Sequence, residues 1–76
     1  GQPQLSLRYA DQCLSICEQN GLADFDLAYA HEARARALKA LGDSNAAAES
    51  WDLARSVPIA DAEDQAILDA DLAIAL

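Results

Sequence analysis

Apolar residues recur along this chain at the three- and four-residue spacing of amphipathic helices, and turn-forming residues interrupt that pattern three times. Gly and Asn accept the left-handed conformation that ends a helix, and a proline disfavours helical geometry in the residue before it. These interruptions are Asn20-Gly21, Gly42-Asp43-Ser44 and Pro58. The pattern therefore predicts four helices, at about 5–19, 24–41, 45–56 and 61–75. Connections this short place successive helices antiparallel and side by side.

Residues that cap helices stand where three of the predicted helices begin. Asp24 or Asp26 is expected to cap the second helix, because a carboxylate accepts hydrogen bonds from the first backbone N–H groups. Asp43 or Ser44 is the expected cap of the third helix. Asp61 is the expected cap of the fourth.

Composition favours the same all-α class. Eighteen residues are Ala and eleven are Leu, whereas only five are β-branched. Ala and Leu stabilise helices, and sheets favour the β-branched residues that are scarce here. A chain of 76 residues has room for one hydrophobic core, so we expect a single all-α domain over residues 1–76.

The net charge of −8 excludes several classes of partner. Nucleic acids and anionic membranes bind basic surfaces, so neither is an expected partner. No apolar run approaches the roughly 20 residues of a membrane-spanning helix, and no signal-peptide pattern opens the sequence. Two cysteines that are expected to stay reduced, Cys13 and Cys17, fit a cytoplasmic protein.

Residues 28–58 carry a pattern of small, turn-forming and aromatic positions that is known from one family of helical repeats. A small residue, Ala35, is followed by Gly42-Asp43 at the turn, and Ala47 and Ala54 then frame Trp51 ahead of Pro58. This stretch resembles a tetratricopeptide repeat, which pairs two antiparallel helices. His31 and Arg34 stand where that family prefers an aromatic residue and a leucine.

The resemblance implies a fragment of a superhelical array. Residues 5–19 then correspond to the second helix of a preceding repeat, and residues 61–75 to a capping helix. The expected function is that of a non-enzymatic module that binds a peptide or a partner protein. The chain would be the C-terminal part of a longer array.

One polar face of the second predicted helix is the candidate binding surface. Tyr29, Glu32, Arg36 and Lys39 follow at intervals that place them on the same side of a helix. By the resemblance, this side of the helix lines the concave surface that binds peptides. The alternative is a solvated face on which Glu32 and Arg36 form an ordinary i, i+4 ion pair.

The first predicted helix carries more apolar residues than one neighbouring helix can cover. They are Leu5, Leu7, Tyr9, Leu14 and Ile16. Large exposed apolar patches are uncommon on monomers, and a two-fold dimer is the simplest way to bury one. The sequence therefore predicts a possible homodimer through the first helix, and a purely structural dimerising bundle is one alternative function.

A second alternative is an acyl or peptidyl carrier domain, which holds phosphopantetheine on a serine at a helix N-terminus. Asp43, Ser44 and Glu49 match the spacing of the carrier motif, although Asn45 replaces the apolar residue after the serine. An Asp-Ser pair after a glycine is also an ordinary N-cap turn.

The remaining residues of chemical interest predict structural roles. Cys13 and Cys17 lie four residues apart on the first predicted helix, a spacing that suits packing rather than a disulfide. A metal site would need two or more further ligands, and His31 is the single histidine. We expect two reduced cysteines, a partly buried His31 and a core Trp51. No catalytic site, metal or cofactor is expected.

Overall fold

Four α-helices form the chain in the computed structural model, which describes residues 2–75 of the backbone and the side chains of residues 2–73. They are α1 (Gln2–Asn20), α2 (Phe25–Ala40), α3 (Ser44–Ser56) and α4 (Ala62–Ala75). The predicted all-α class with helical hairpins is confirmed, and these described residues contain no strand. None of the four helices is both long and apolar enough to cross a membrane over its described residues.

The turn residues end the helices as their backbone preferences require. Gly42 has φ +88, and its N–H donates to the carbonyl of Lys39 at 3.0 Å. The N–H of Asp43 donates to the carbonyl of Leu38 at 3.0 Å, so α2 ends in a Schellman motif. Gly21, with φ +63, ends α1 in the same left-handed conformation.

Two of the predicted N-caps are confirmed. The carboxylate of Asp43 accepts a hydrogen bond from the Ala46 N–H at 3.1 Å, at the start of α3. Oδ1 of Asp61 accepts from the N–H groups of Glu63 and Asp64, at 2.8 and 3.1 Å. These bonds satisfy N–H groups that have no partner within their own helix.

Asp24 differs from its expected role. It occupies the N-cap position of α2, but its side chain makes no capping bond there. Its Oδ2 instead accepts a hydrogen bond from the N–H of Ala60 at 3.1 Å. This bond joins the α1–α2 connection to the α3–α4 connection. Asp24 itself has a positive φ of 65, a strained conformation that non-glycine residues seldom adopt.

The central helix is α2, which packs against α1, α3 and α4. Its small residues allow close contact with α3 and α4 around a buried aromatic ring. The core cluster consists of Ala28, Ala35, Trp51, Ala54, Leu68 and Leu72. Trp51 is 2% exposed, which confirms its predicted place in the core.

Candidate functional site

A groove of about 890 Å³ lies between α1 and α2, and the described residues that line it all belong to these two helices and their connection. Large apolar side chains of both helices line it, together with Leu22 from the connection. They are Leu5, Tyr9, Ile16, Leu22 and Tyr29, which are between 41% and 67% exposed. This is the largest set of exposed apolar side chains that the described residues bring together.

The spacing of large and small residues explains the concave shape. Leu5, Tyr9 and Ile16 follow an i, i+4, i+11 pattern, so they project from one face of α1. The facing part of α2 presents Ala30 and Ala37, whose side chains end at Cβ. Large residues therefore form the wall on α1, and small residues form the floor on α2.

Two residues of the predicted binding face line this groove, and two do not. Tyr29 and Arg36 are lining residues, whereas Lys39 is exposed outside the lining and Glu32 is buried. The ring of Phe25, whose centroid is 5.3 Å from that of Tyr29, packs against the tyrosine at the groove edge.

Glu32 is predicted to lie on an exposed polar face of the second helix, and this prediction is wrong, because its side chain is only 1% exposed. It lies four residues after Ala28 and three before Ala35, so it shares the helix face of two core residues. That spacing is the sequence signal that Glu32 shares their face, and the packing of the other helices against this face buries it. Because it is buried, Glu32 cannot contact a ligand directly and can affect binding only through the residue with which it forms an ion pair.

That residue is Arg36. Its Nε lies 2.8 Å from Oε1 of Glu32, so the i, i+4 pair of the alternative interpretation forms, but with a buried rather than a solvated glutamate. Burial raises the pKa of Glu32, the positive charge of Arg36 opposes that rise, and Asp71 adds to it. The Arg36 side chain is itself 55% exposed, so the buried carboxylate positions a guanidinium that still faces solvent.

Arg34 has a different role from the other basic residues of α2. Its Nε donates to Oδ1 of Asp11 at 2.8 Å, and its Nη1 donates to the hydroxyl of Ser50 at 2.9 Å. A single side chain thus joins α1, α2 and α3. The guanidinium of Arg34 therefore serves as a polar link between helices.

The charged residues that line the groove are Asp26 and Arg36, one of each sign. They are ten positions apart on α2, a rise of about 15 Å along the helix axis. The sequence pattern indicates only a capping role for Asp26, because the groove forms when α1 packs beside α2. The groove therefore has an acidic end, near the start of α2, and a basic end, near its last turns.

The cysteines and the histidine have the expected structural character. Both cysteines are free thiols, and Cys17 is buried. Burial raises the pKa of Cys17, and the nearby Asp26 adds to the rise, so its thiol stays protonated at neutral pH. His31 is half-buried, and burial followed by the charge of Arg34 lowers its pKa, which keeps the imidazole neutral.

Ser44, the serine of the carrier-like motif, is exposed as the first residue of α3. Only residues 41–43 separate it from α2, and the preceding Asp43 acts as an N-cap. Within the described part of the chain, no group of three or more His, Cys, Asp or Glu side chains is placed to hold a metal ion.

Comparisons with protein-family models, with curated proteins and with solved structures found no match to this chain.

Proposed function

We propose that this protein is a non-enzymatic protein–protein interaction module of the helical-repeat type, which binds a peptide or a helix of a partner protein in the α1–α2 groove. The observation that carries the proposal is the exposure of Leu5, Tyr9 and Ile16 along one wall of that groove. Exposed apolar surface of this kind is typical of sites that another protein covers.

The shape of the groove supports a helical or extended apolar segment as ligand. Small residues, Ala30 and Ala37, form its floor, and such residues let a backbone approach closely. A helix whose apolar residues recur every three to four positions fills a groove of this type. Tyr9 and Tyr29 add contact area with a polar tip, a combination that is common at binding surfaces.

Arg36 gives the groove a means of selecting ligands. Its Nε is held by Glu32, and a guanidinium carries further N–H donors that can pair with a carboxylate. We propose that ligands with an acidic side chain or a C-terminal carboxylate at this end are preferred. Lys39, also on α2, adds positive charge nearby on the same helix.

The resemblance to tetratricopeptide repeats supports the same class of function. Its supporting residues are the Gly42-Asp43 turn, the buried Trp51 and the small Ala47 and Ala54 of the same helix. We also propose a cytoplasmic location, because the two free cysteines suit a reducing compartment.

The test is selection of binding peptides from a random linear-peptide phage library on the wild-type chain. Ile16→Glu places a charge in the groove, and Ile67→Glu is its matched control on α4, because both isoleucines are 51% exposed. We expect selected peptides to bind Ile67→Glu like the wild type and to lose roughly tenfold in affinity with Ile16→Glu. Selected peptides that bind Ile16→Glu undiminished, or a library that yields no binder, would overturn the proposal.

A second comparison tests the selectivity assigned to Arg36. The double variant Arg36→Glu, Lys39→Glu should lose affinity for selected peptides that carry a carboxylate and retain it for their amidated or neutral counterparts. Equal binding of the carboxylate peptides by both proteins would remove the basic residues of α2 from the site. Circular dichroism of each variant verifies that it is folded.

A further inference from the structure

We propose that the occupant of the α1–α2 groove is a second copy of this chain, which docks by a two-fold axis so that Asp26 of each copy faces Arg36 of the other. This inference rests on the proposed function, since it takes the same groove as a protein-binding surface and names its partner. The contacts are symmetric because a two-fold interface uses the same patch on both subunits.

The placement of charge in the groove is self-complementary. Asp26 lies toward one end and Arg36 toward the other, about 15 Å apart along α2. A two-fold axis that lies between the two copies, perpendicular to α2 and level with the midpoint between these two residues, exchanges the two ends of the groove. Each acidic end then meets a basic end, and two equivalent ion pairs form in one step.

The distribution of charge over the whole molecule favours this face for contact between two acidic chains. Residues 40–76 carry eight acidic groups and one basic group, a net charge of −7. Residues 1–39, which include both helices of the groove, carry five acidic and four basic groups, a net charge of −1. Two copies with a net charge of −8 each therefore repel one another least when their α1–α2 hairpins meet.

The exposed apolar area is of the size that a small dimer interface needs. Leu5, Tyr9, Ile16, Leu22 and Tyr29 are 41–67% exposed. An aromatic side chain has about 150–250 Å² to bury and an aliphatic one somewhat less, so the five together present at most roughly 500 Å². Two such patches bring roughly 1,000 Å² into one interface, which is the lower end of the range for specific association. An interface of this size is typical of weak, reversible association, so the fraction of dimer should depend on protein concentration.

Exchange of the two charges distinguishes the proposed two-fold interface from a non-specific apolar contact, which would not depend on these charges. Sedimentation equilibrium of the full chain at micromolar concentration should show a dimer. Asp26→Arg alone should raise the dimer dissociation constant roughly tenfold, because one substitution makes both symmetric pairs repulsive. Arg36→Glu alone should do the same, whereas an equimolar mixture of the two variants should restore association as a heterodimer with two attractive pairs.

Because Arg36→Glu also removes the partner of the buried Glu32, a second pair of variants tests the interface without touching that bond. Ile16→Glu should weaken the dimer roughly tenfold, and the equally exposed Ile67→Glu should leave it unchanged. Far-UV circular dichroism verifies that each variant is helical.

The outcomes separate this inference from the proposed function. A wild-type chain that is monomeric at every concentration, while Ile16→Glu still loses selected peptides, overturns the dimer and leaves the peptide-binding groove. A dimer that Ile67→Glu disrupts and Ile16→Glu does not, or a mixture of the charge variants that stays monomeric, also overturns the inference. A wild-type chain that neither self-associates nor binds any selected peptide refutes the groove as an interaction site altogether.

Discussion

Replacement of Trp51 by alanine removes the largest side chain of the core. The indole is 2% exposed and packs with residues of α2 and α4 in the central cluster. Truncation of a buried tryptophan costs about 3–5 kcal/mol in free energy of unfolding. The structure places the expected cost near the lower end, because the buried Nε1–H of Trp51 has no hydrogen-bond partner among the described residues and leaves with the ring.

A loss of about 3 kcal/mol is large for this domain. A chain of 76 residues has a free energy of unfolding on the order of 4–11 kcal/mol at roughly 0.05–0.15 kcal/mol per residue. The variant should therefore unfold at a much lower urea concentration than the wild type, with an unchanged dependence of free energy on denaturant. Far-UV circular dichroism is the appropriate signal, since the substitution removes the fluorescent tryptophan.

Two further variants make the measurement specific. Trp51→Phe keeps an aromatic ring and removes the unpaired N–H, so we expect it to cost less than about 1.5 kcal/mol. Leu53→Ala, two residues away on the same helix and 49% exposed, should change stability by about 0.5 kcal/mol or less. A cost below about 1 kcal/mol for Trp51→Ala would refute the packing of α2, α3 and α4 around the indole. A Phe variant as unstable as the Ala variant would refute the argument about the N–H.

Four further outcomes follow from single residues. Gly42→Ala should lower the free energy of unfolding in urea by about 1 kcal/mol, because Gly42 has φ +88. The described residues leave open space where the added methyl group would lie, so backbone strain is the only cause, and an equally stable variant would contradict this. Asp61→Ala should lose about 1 kcal/mol and speed hydrogen exchange in the first turn of α4, whose N–H groups it caps. Burial raises the pKa of Glu32 above 4.5, so the folded state binds a proton more readily than the unfolded state. The wild type should therefore gain stability relative to Glu32→Gln as the pH falls from neutral through the raised pKa toward 4.5, and parallel pH profiles of the two proteins would refute a buried carboxylate. Treatment with a phosphopantetheinyl transferase should leave the intact mass unchanged, and addition of the prosthetic group to Ser44 would replace the interaction function with that of a carrier domain.

The positions of the helices could be predicted from the sequence, with the start of α1 three residues off and the other ends within one residue, because local interactions determine them. The predicted third helix, 45–56, matches α3, Ser44–Ser56, to within one residue, and Pro58 explains its end, since Val57 before it is extended. Left-handed glycines and capping carboxylates likewise act on backbone groups no more than five residues away. The burial of Trp51 could also be predicted, because small residues at helical spacing frame it on one face.

The site depended on contacts between residues far apart in sequence. The carboxylate of Asp24 bonds to Ala60 rather than to its own helix. Glu32 is buried on the face of α2 that packs against α3 and α4 in the core cluster. The sequence assigned the basic residues of α2 and the apolar residues of α1 to two separate surfaces, but the hairpin brings Arg36 and Ile16 into one groove. Helical periodicity fixes which residues share a face of one helix, and only the packing of the other helices decides which faces are covered and which remain open.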